Sequence, residues 1–267
     1  MTPSTPFEEL LMQSQGKPFV YDHNDMRSLH FDAKFVQSMM SITAPDKLLL
    51  RYTRAMMAFL LFQRQPRHIL LVGLGGGSLA KFCYRNFPAA RITVLELSAE
   101  VIALRDAFLI PPDDERFQVI HADAAAYLME NRQDGKRIDR QADVILLDGF
   151  TADGLAPELS TRDFYLACSR WLTEDGVLVS NLWSSPTSYA VVTSPVEEEF
   201  AWSVWWCKTY DSHNYISFFV KGGNRTVLRP VLVSRARKLD QEFDLDLSGL
   251  VGSLQMVDKK KAGKRKG

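Results

Sequence analysis

Cysteine is too scarce in this sequence to organise it: Cys83, Cys168 and Cys207 are the only three among 267 residues, far apart and each in an apolar context. That excludes a disulfide framework and a cysteine-ligated zinc site, and it fits a reducing compartment. Net charge is missing as well, because 32 Lys and Arg offset 32 Asp and Glu, so no global field draws the chain to nucleic acid or to an anionic membrane. No apolar run reaches the length of a membrane span, and the first residues lack the basic and then apolar pattern of a signal peptide. These absences predict a cytoplasmic protein with no specific nucleic-acid partner, no membrane partner and no bound metal. What the chain has in quantity is apolar mass, 46% of its residues, enough for one large α/β domain with a small appendage.

The stretch His68-Ile-Leu-Leu-Val-Gly-Leu-Gly-Gly-Gly-Ser78 organises that mass. Ile69 to Val72 form a continuous apolar run, as a central parallel strand covered on both faces requires. Gly73, Gly75, Gly76 and Gly77 remove the side chains that would hold a ligand away from the backbone, and Ser78 is placed to cap the helix that follows. Arg91 to Glu96 reads as the next strand, with the Glu96 carboxylate at its end able to accept from both hydroxyls of a ribose. The pattern admits two readings, a nicotinamide or flavin dinucleotide fold and an S-adenosylmethionine-type fold.

The later strands decide between them. Phe117 to Ala122 leads into Asp123 and Ala124, and Asp143-Val-Ile-Leu-Leu-Asp148 again ends in an acid, so Glu96, Asp123 and Asp148 should converge at the carboxyl ends of the strands. Gly176 to Trp183 is a fifth strand. Trp202 to Lys208 and Tyr215 to Val220 are joined by a connection too short for a helical crossover, so the sheet ends antiparallel. The expected fold is α/β: a class I methyltransferase-type Rossmann fold, mostly parallel and closed by an antiparallel strand, with a short N-terminal β-hairpin appendage.

The hairpin comes from Lys17 to Asp22 and Met26 to Phe31 and reads as lid-like. Helices are expected over Pro45 to Phe62, from Ser98 to about Phe108, from Ser160 or Thr161 through Trp171, and around Val191 to Phe200. Asn131 to Gln141 reads as a solvated charged loop. Apolar periodicity fades beyond Arg235, and the basic tail from Asp258 to Gly267 reads as disordered. The expected divisions are residues 1–45 for the N-terminal segment, 46–235 for the nucleoside-binding catalytic domain and 236–267 for a C-terminal extension.

Taken in order over roughly residues 17 to 222, these motifs resemble those of the spermidine synthase, or polyamine aminopropyltransferase, family. Tyr52 matches the tyrosine of the family's Tyr-Gln-Glu or Tyr-His-Glu motif; the Gly-rich turn, Glu96, Asp123 and Ala124 match its nucleoside-binding positions; and Asp148 matches its catalytic base. Pro157 to Tyr165 resembles the segment after the base, and Tyr210, with a residue of slippage, a tyrosine that contacts the amine. The resemblance implies aminopropyl transfer to an amine. The co-substrate would be decarboxylated S-adenosylmethionine or S-adenosylmethionine, with Asp148 and Tyr52 catalytic, Tyr52, Asp153 and Tyr210 on the acceptor, and a homodimer among the assemblies it allows. This sequence departs from the pattern at Gly76, where the family carries an aspartate, at Thr53 and Arg54, where it carries Gln or His and an acid, and in the loop that places Asp153. Two other readings stand beside it: an S-adenosylmethionine-dependent methyltransferase with Arg54 on the methionine carboxylate, and a non-catalytic nucleoside-binding protein.

Overall fold

The computed structural model describes residues 5–33, 35–130, 141–151, 154–183, 202–210, 214–222 and 227–256. The N-terminal segment begins with α1 (Pro6–Ser14), closed at its start by a capping box between Thr5 and Glu8. It continues into a small antiparallel sheet of β1 (Phe19–His23), β2 (Met26–His30) and β3 (Val36–Ser41). The expected hairpin is therefore extended by a third strand. It is also a wall rather than a loose lid. Leu29 and Met40 are fully buried in the main core, Arg27 donates to the Ala107 carbonyl, and the Lys81 ammonium donates to the Phe108 carbonyl at 2.6 Å and contacts the Met40 sulfur at 3.1 Å.

The main sheet is built on β4 (His68–Val72), β5 (Arg91–Glu96), β6 (Phe117–His121), β7 (Ala142–Leu147) and β10 (Leu172–Trp183), which run parallel in the order β10-β7-β4-β5-β6. A short two-stranded ladder, β8 (Phe150–Thr151) with β9 (Gly154–Leu155), lies between β7 and β10 in the chain. On the other side of β10, β12 (Asn214–Val220) pairs antiparallel with it, then β11 (Ser203–Lys208) with β12, and β13 (Gln255–Met256) with β11. The antiparallel close read from the short connection is thus present, with a further edge strand from the C-terminal segment.

Alternation explains why the inner strands read as unbroken apolar runs. Ile69 and Leu71 of β4, Val144 and Leu146 of β7, and Val177 and Val179 of β10 face one core. Leu70, Val72, Ile145, Leu147 and Leu178 face the other. Each side chain so buried contributes roughly 1.5–3 kcal/mol, and a polar residue on either face would forfeit that. The first core is covered by α2 (Arg51–Met56), the 3-10 turn Met57–Leu61, α3 (Ser78–Asn86) and α7 (Arg229–Phe243), the second by α5 (Ala124–Glu130) and α6 (Arg162–Trp171).

Several helix expectations are corrected. The helix expected from Pro45 starts at Arg51 and tightens to 3-10 geometry after Met56. The helix after Ser98, α4 (Ala99–Ala103), stops well short of Phe108; the chain then turns, with Leu109 at φ 53°. Ser98 does cap α4, accepting from Val101 N at 3.2 Å. Ser78 does not cap α3: Gly77 holds that position at φ 68°, and Ser78 is the first helical residue. Past Arg235 the chain stays ordered through α7 and α8 (Leu247–Ser253), which bury Leu239, Leu247, Val251 and Leu254. The helix expected around Val191, most of the 131–141 loop and the basic tail lie outside the described residues.

Candidate active site

A cavity of about 890 Å³ opens at the carboxyl ends of the parallel strands, walled on its outer side by Leu29, Phe31, Phe35, Val36, Gln37 and Ser38 of the N-terminal sheet and its approach. The turn after β4 forms its floor. Gly73 has φ +96°, and a Cβ there would stand 2.5 Å from the Asp148 carbonyl, so this crossing of two strand ends requires glycine. Gly73 N donates to Leu95 O at 2.8 Å, and Asp148 N to Val72 O at 2.9 Å.

Glu96 is fixed at the end of β5 by two backbone donors: Leu74 N reaches Oε2 at 2.7 Å and Ser98 N reaches Oε1 at 2.8 Å. Each carboxylate oxygen keeps further acceptor capacity toward the cavity that Glu96 lines. Asp123 is more exposed. Its Oδ1 accepts from Ala126 N at 2.9 Å at the start of α5, and both Asp123 and Ala124 line the cavity.

At the opposite end of the cavity, Asp148 follows β7. Tyr52 of α2 donates to its Oδ2 at 3.3 Å, Asn181 of β10 donates from Nδ2 to its Oδ1 at 2.8 Å, and Asn214 at the start of β12 donates from Nδ2 to Asn181 Oδ1 at 2.8 Å. Removal from bulk water pushes the Asp148 carboxyl up to about 7, against the lowering effect of the Asn181 and Tyr52 hydrogen bonds. The same desolvation, reinforced by Asp148, raises the Tyr52 phenol well above its usual value, so Tyr52 serves as a donor. A carboxylate titrating near neutrality beside an open cavity can take up and release a proton at physiological pH.

The structure brings together Tyr52, Gly73, Gly75, Glu96, Asp123, Ala124 and Asp148 around this one space. It does not bring Gly76, Gly77 or Tyr210. A Cβ on Gly76 would meet Ser38 Oγ at 2.7 Å and the Phe108 ring at 2.8 Å, and one on Gly77 would meet Ile110 at 2.5 Å. Those two glycines admit the N-terminal sheet and the 108–110 turn, and they do not line the cavity. Tyr210 is 80% exposed and is not among the lining residues. Arg54 also turns away, donating to the Leu49 carbonyl at 3.1 Å. Asp153 lies outside the described residues.

Sequence reasoning did not single out Asn181, Asn214, Asp32 or Glu158, all of which line the cavity. Asn181 carried one usable signal, an amide near the carboxyl end of β10 among Val177, Leu178, Val179 and Leu182. Among the described lining residues, Asp32, Glu96, Asp123, Asp148 and Glu158 are acids, and none is Lys, Arg or His. The arrangement suits a ligand that is positively charged overall and carries a sugar-like diol at one end.

Comparison with known proteins bears on that chemistry. A family model described as "Spermine/spermidine synthase domain" matches residues 49–214. A polyamine aminopropyltransferase of Chromobacterium violaceum is 31% identical, over 91% of each chain. A probable spermidine synthase from Corynebacterium glutamicum superposes with a TM-score of 0.66 at 19% identity, covering 92% of this chain and 89% of that one. Human methyltransferase-like protein 13, solved in complex with SAH, gives the same TM-score of 0.66 at 23% identity, covering 73% of this chain and 93% of its own.

Proposed function

The chain belongs to the spermine/spermidine synthase family, and on that premise we propose that it is a transferase moving the aminopropyl group of decarboxylated S-adenosylmethionine onto an amine, with Asp148 as general base. The observation that carries this reading is the charge of the cavity: five acids and no basic side chain among the described lining residues. An aminopropyl sulfonium nucleoside carries two positive charges and no negative one, and its acceptor is an ammonium at neutral pH. Both are attracted by this lining.

Glu96, held by the backbone of Leu74 and Ser98, accepts from the ribose hydroxyls; Asp123 and Ala124 border the base. Asp148 takes the proton that the acceptor nitrogen must lose before its lone pair can attack carbon. The new C–N bond forms as the C–S bond breaks, its electron pair neutralises the sulfonium, and methylthioadenosine leaves. Tyr52 holds the Asp148 carboxylate toward the reacting nitrogen, and the acidic lining orients the cation for in-line approach. The rise of the Asp148 carboxyl to about 7 in the free protein fits a base that is ionised by the arrival of the cation.

Methyl transfer from S-adenosylmethionine is the second reading, favoured by Gly76, where the family's acid is absent, and by the fold shared with methyltransferase-like protein 13. It would need a partner for the methionine carboxylate, and Arg54, the candidate from sequence, points elsewhere. Mass spectrometry separates the two. Protein incubated with decarboxylated S-adenosylmethionine and a panel of amines should yield an aminopropylated amine and methylthioadenosine. Methylated product from S-adenosylmethionine, with no aminopropyl transfer to any amine, would replace the first reading with the second.

A further inference from the structure

Asn181 reaches Asp148 with only one of the two faces of its amide. The NH2 group can donate and the carbonyl can accept, and the two look alike in shape, so the side chain has two orientations that fit the same space. What distinguishes them is Asn214, whose Nδ2 donates to Asn181 Oδ1 at 2.8 Å while Asn181 Nδ2 donates to Asp148 Oδ1 at 2.8 Å. The backbone of Asn214 is held at the start of β12, since its main-chain carbonyl accepts from Thr209 N at 3.0 Å and from Thr209 Oγ1 at 3.2 Å. Asn181 is buried, at 2% exposure, so bulk water does not substitute for these partners. All the donors in this chain point one way, from β12 through β10 to the end of β7.

We propose that Asn214 is a positioning residue for the base: by donating to Asn181 Oδ1 it keeps the Asn181 NH2 turned toward Asp148, which favours the ionised, proton-accepting carboxylate. The inference rests on the reading of Asp148 as general base. Without the Asn214 donor the Asn181 amide is free to invert, and its carbonyl then faces Asp148. Two acceptors in contact are stable only when one carries a proton, so inversion holds Asp148 in the protonated form that cannot act as a base. The charged and titratable groups around Asp148 do not supply what the amides supply. Tyr52 from α2 donates one longer bond at 3.3 Å, and Asp32, Glu96, Asp123 and Glu158, which share the cavity, are acids that as carboxylates offer Asp148 no donor.

The test follows the Asp148 carboxyl directly by 13C NMR in protein labelled at aspartate Cγ, with the resonance assigned from Asp148→Asn, alongside the pH profile of kcat/KM. Asn214→Leu, which removes the donor, should raise the Asp148 midpoint by about half a unit to one unit, the worth of one hydrogen bond, and move the acidic limb of kcat/KM by the same amount. Asn214→Asp, which presents an acceptor to Asn181, should raise it further, and Asn214→Gln, which keeps a donor, should return it toward the parent. An unchanged or lowered midpoint in folded Asn214→Leu or Asn214→Asp would overturn the proposal. Because the NMR titration needs no turnover, it judges Asn214 even if Asp148→Asn remains active, a result that would count against the general base alone.

Discussion

The Glu96 end of the cavity is made by adjoining elements: Leu74, just after β4, and Glu96, at the end of β5, lie 22 residues apart and meet at 2.7 Å. The Asp148 end gathers its parts from a distance, with Tyr52 96 residues before Asp148, and Asn181 33 residues after it and 33 before Asn214. A binding surface made of backbone and one strand-end acid is rigid as soon as two adjacent strands pair. A site assembled from side chains on several elements depends on the whole sheet closing. The two ends should therefore fail differently when altered.

The largest effect is expected at the assembled end. Asp148→Asn should lower turnover by about 10²- to 10⁴-fold while leaving nucleoside affinity nearly unchanged, because the amide keeps the shape and loses the proton acceptor. In the parent, kcat/KM should rise with pH through about 7. The same group shapes stability. Its folded value of about 7 lies above the ordinary carboxylate value of 3.8, so its favourable contribution is complete below 3.8 and is lost as pH rises through about 7. Asp148→Asn has no such dependence, and calorimetry should find its stability relative to the parent increasing across that window and level above it.

Gly76→Ala tests packing behind the glycine turn, away from the cavity lining. The new methyl group would meet Ser38 Oγ and the Phe108 ring at under 3 Å, and such overpacking costs about 1–3 kcal/mol, read as a lower unfolding temperature. Glu96→Gln should weaken nucleoside binding about tenfold through the loss of charge-assisted hydrogen bonds, with kcat at saturation close to the parent's. The smallest change is expected from Tyr52→Phe. Its bond to Asp148 is long at 3.3 Å, so its loss should move the acidic limb of the pH profile upward by about a few tenths of a unit, as a hydrogen bond near the weak end of the range would.

The same contrast explains what could be read from the sequence. The turn after β4, Glu96, Asp123 and the antiparallel close were legible because each is a local pattern: an apolar run, a glycine cluster, an acid at a strand end, a connection too short for a helix. Gly76 and Gly77 were expected at the ligand for the same local reason, and the structure packs them against Ser38, Phe108 and Ile110. A glycine that admits a ligand and one that admits Ser38, Phe108 or Ile110 look identical in one dimension. Tyr210 and Asn214 sit four positions apart, and nothing in the sequence distinguishes the one that the structure leaves exposed from the one that lines the cavity. The order past Arg235 was hidden because its buried residues are few and divided: Leu239 near the end of α7, Leu247 and Val251 in the seven-residue α8, and Leu254 just after it.

The central claim is that the cavity is built for a cation with no carboxylate, and isothermal titration of the two forms of the co-substrate tests it most directly. Decarboxylated S-adenosylmethionine should bind at least about tenfold more tightly than S-adenosylmethionine, a difference of about 1.4 kcal/mol, because the acidic lining repels the methionine carboxylate that the second form retains. Equal affinity, or tighter binding of S-adenosylmethionine, would contradict the account.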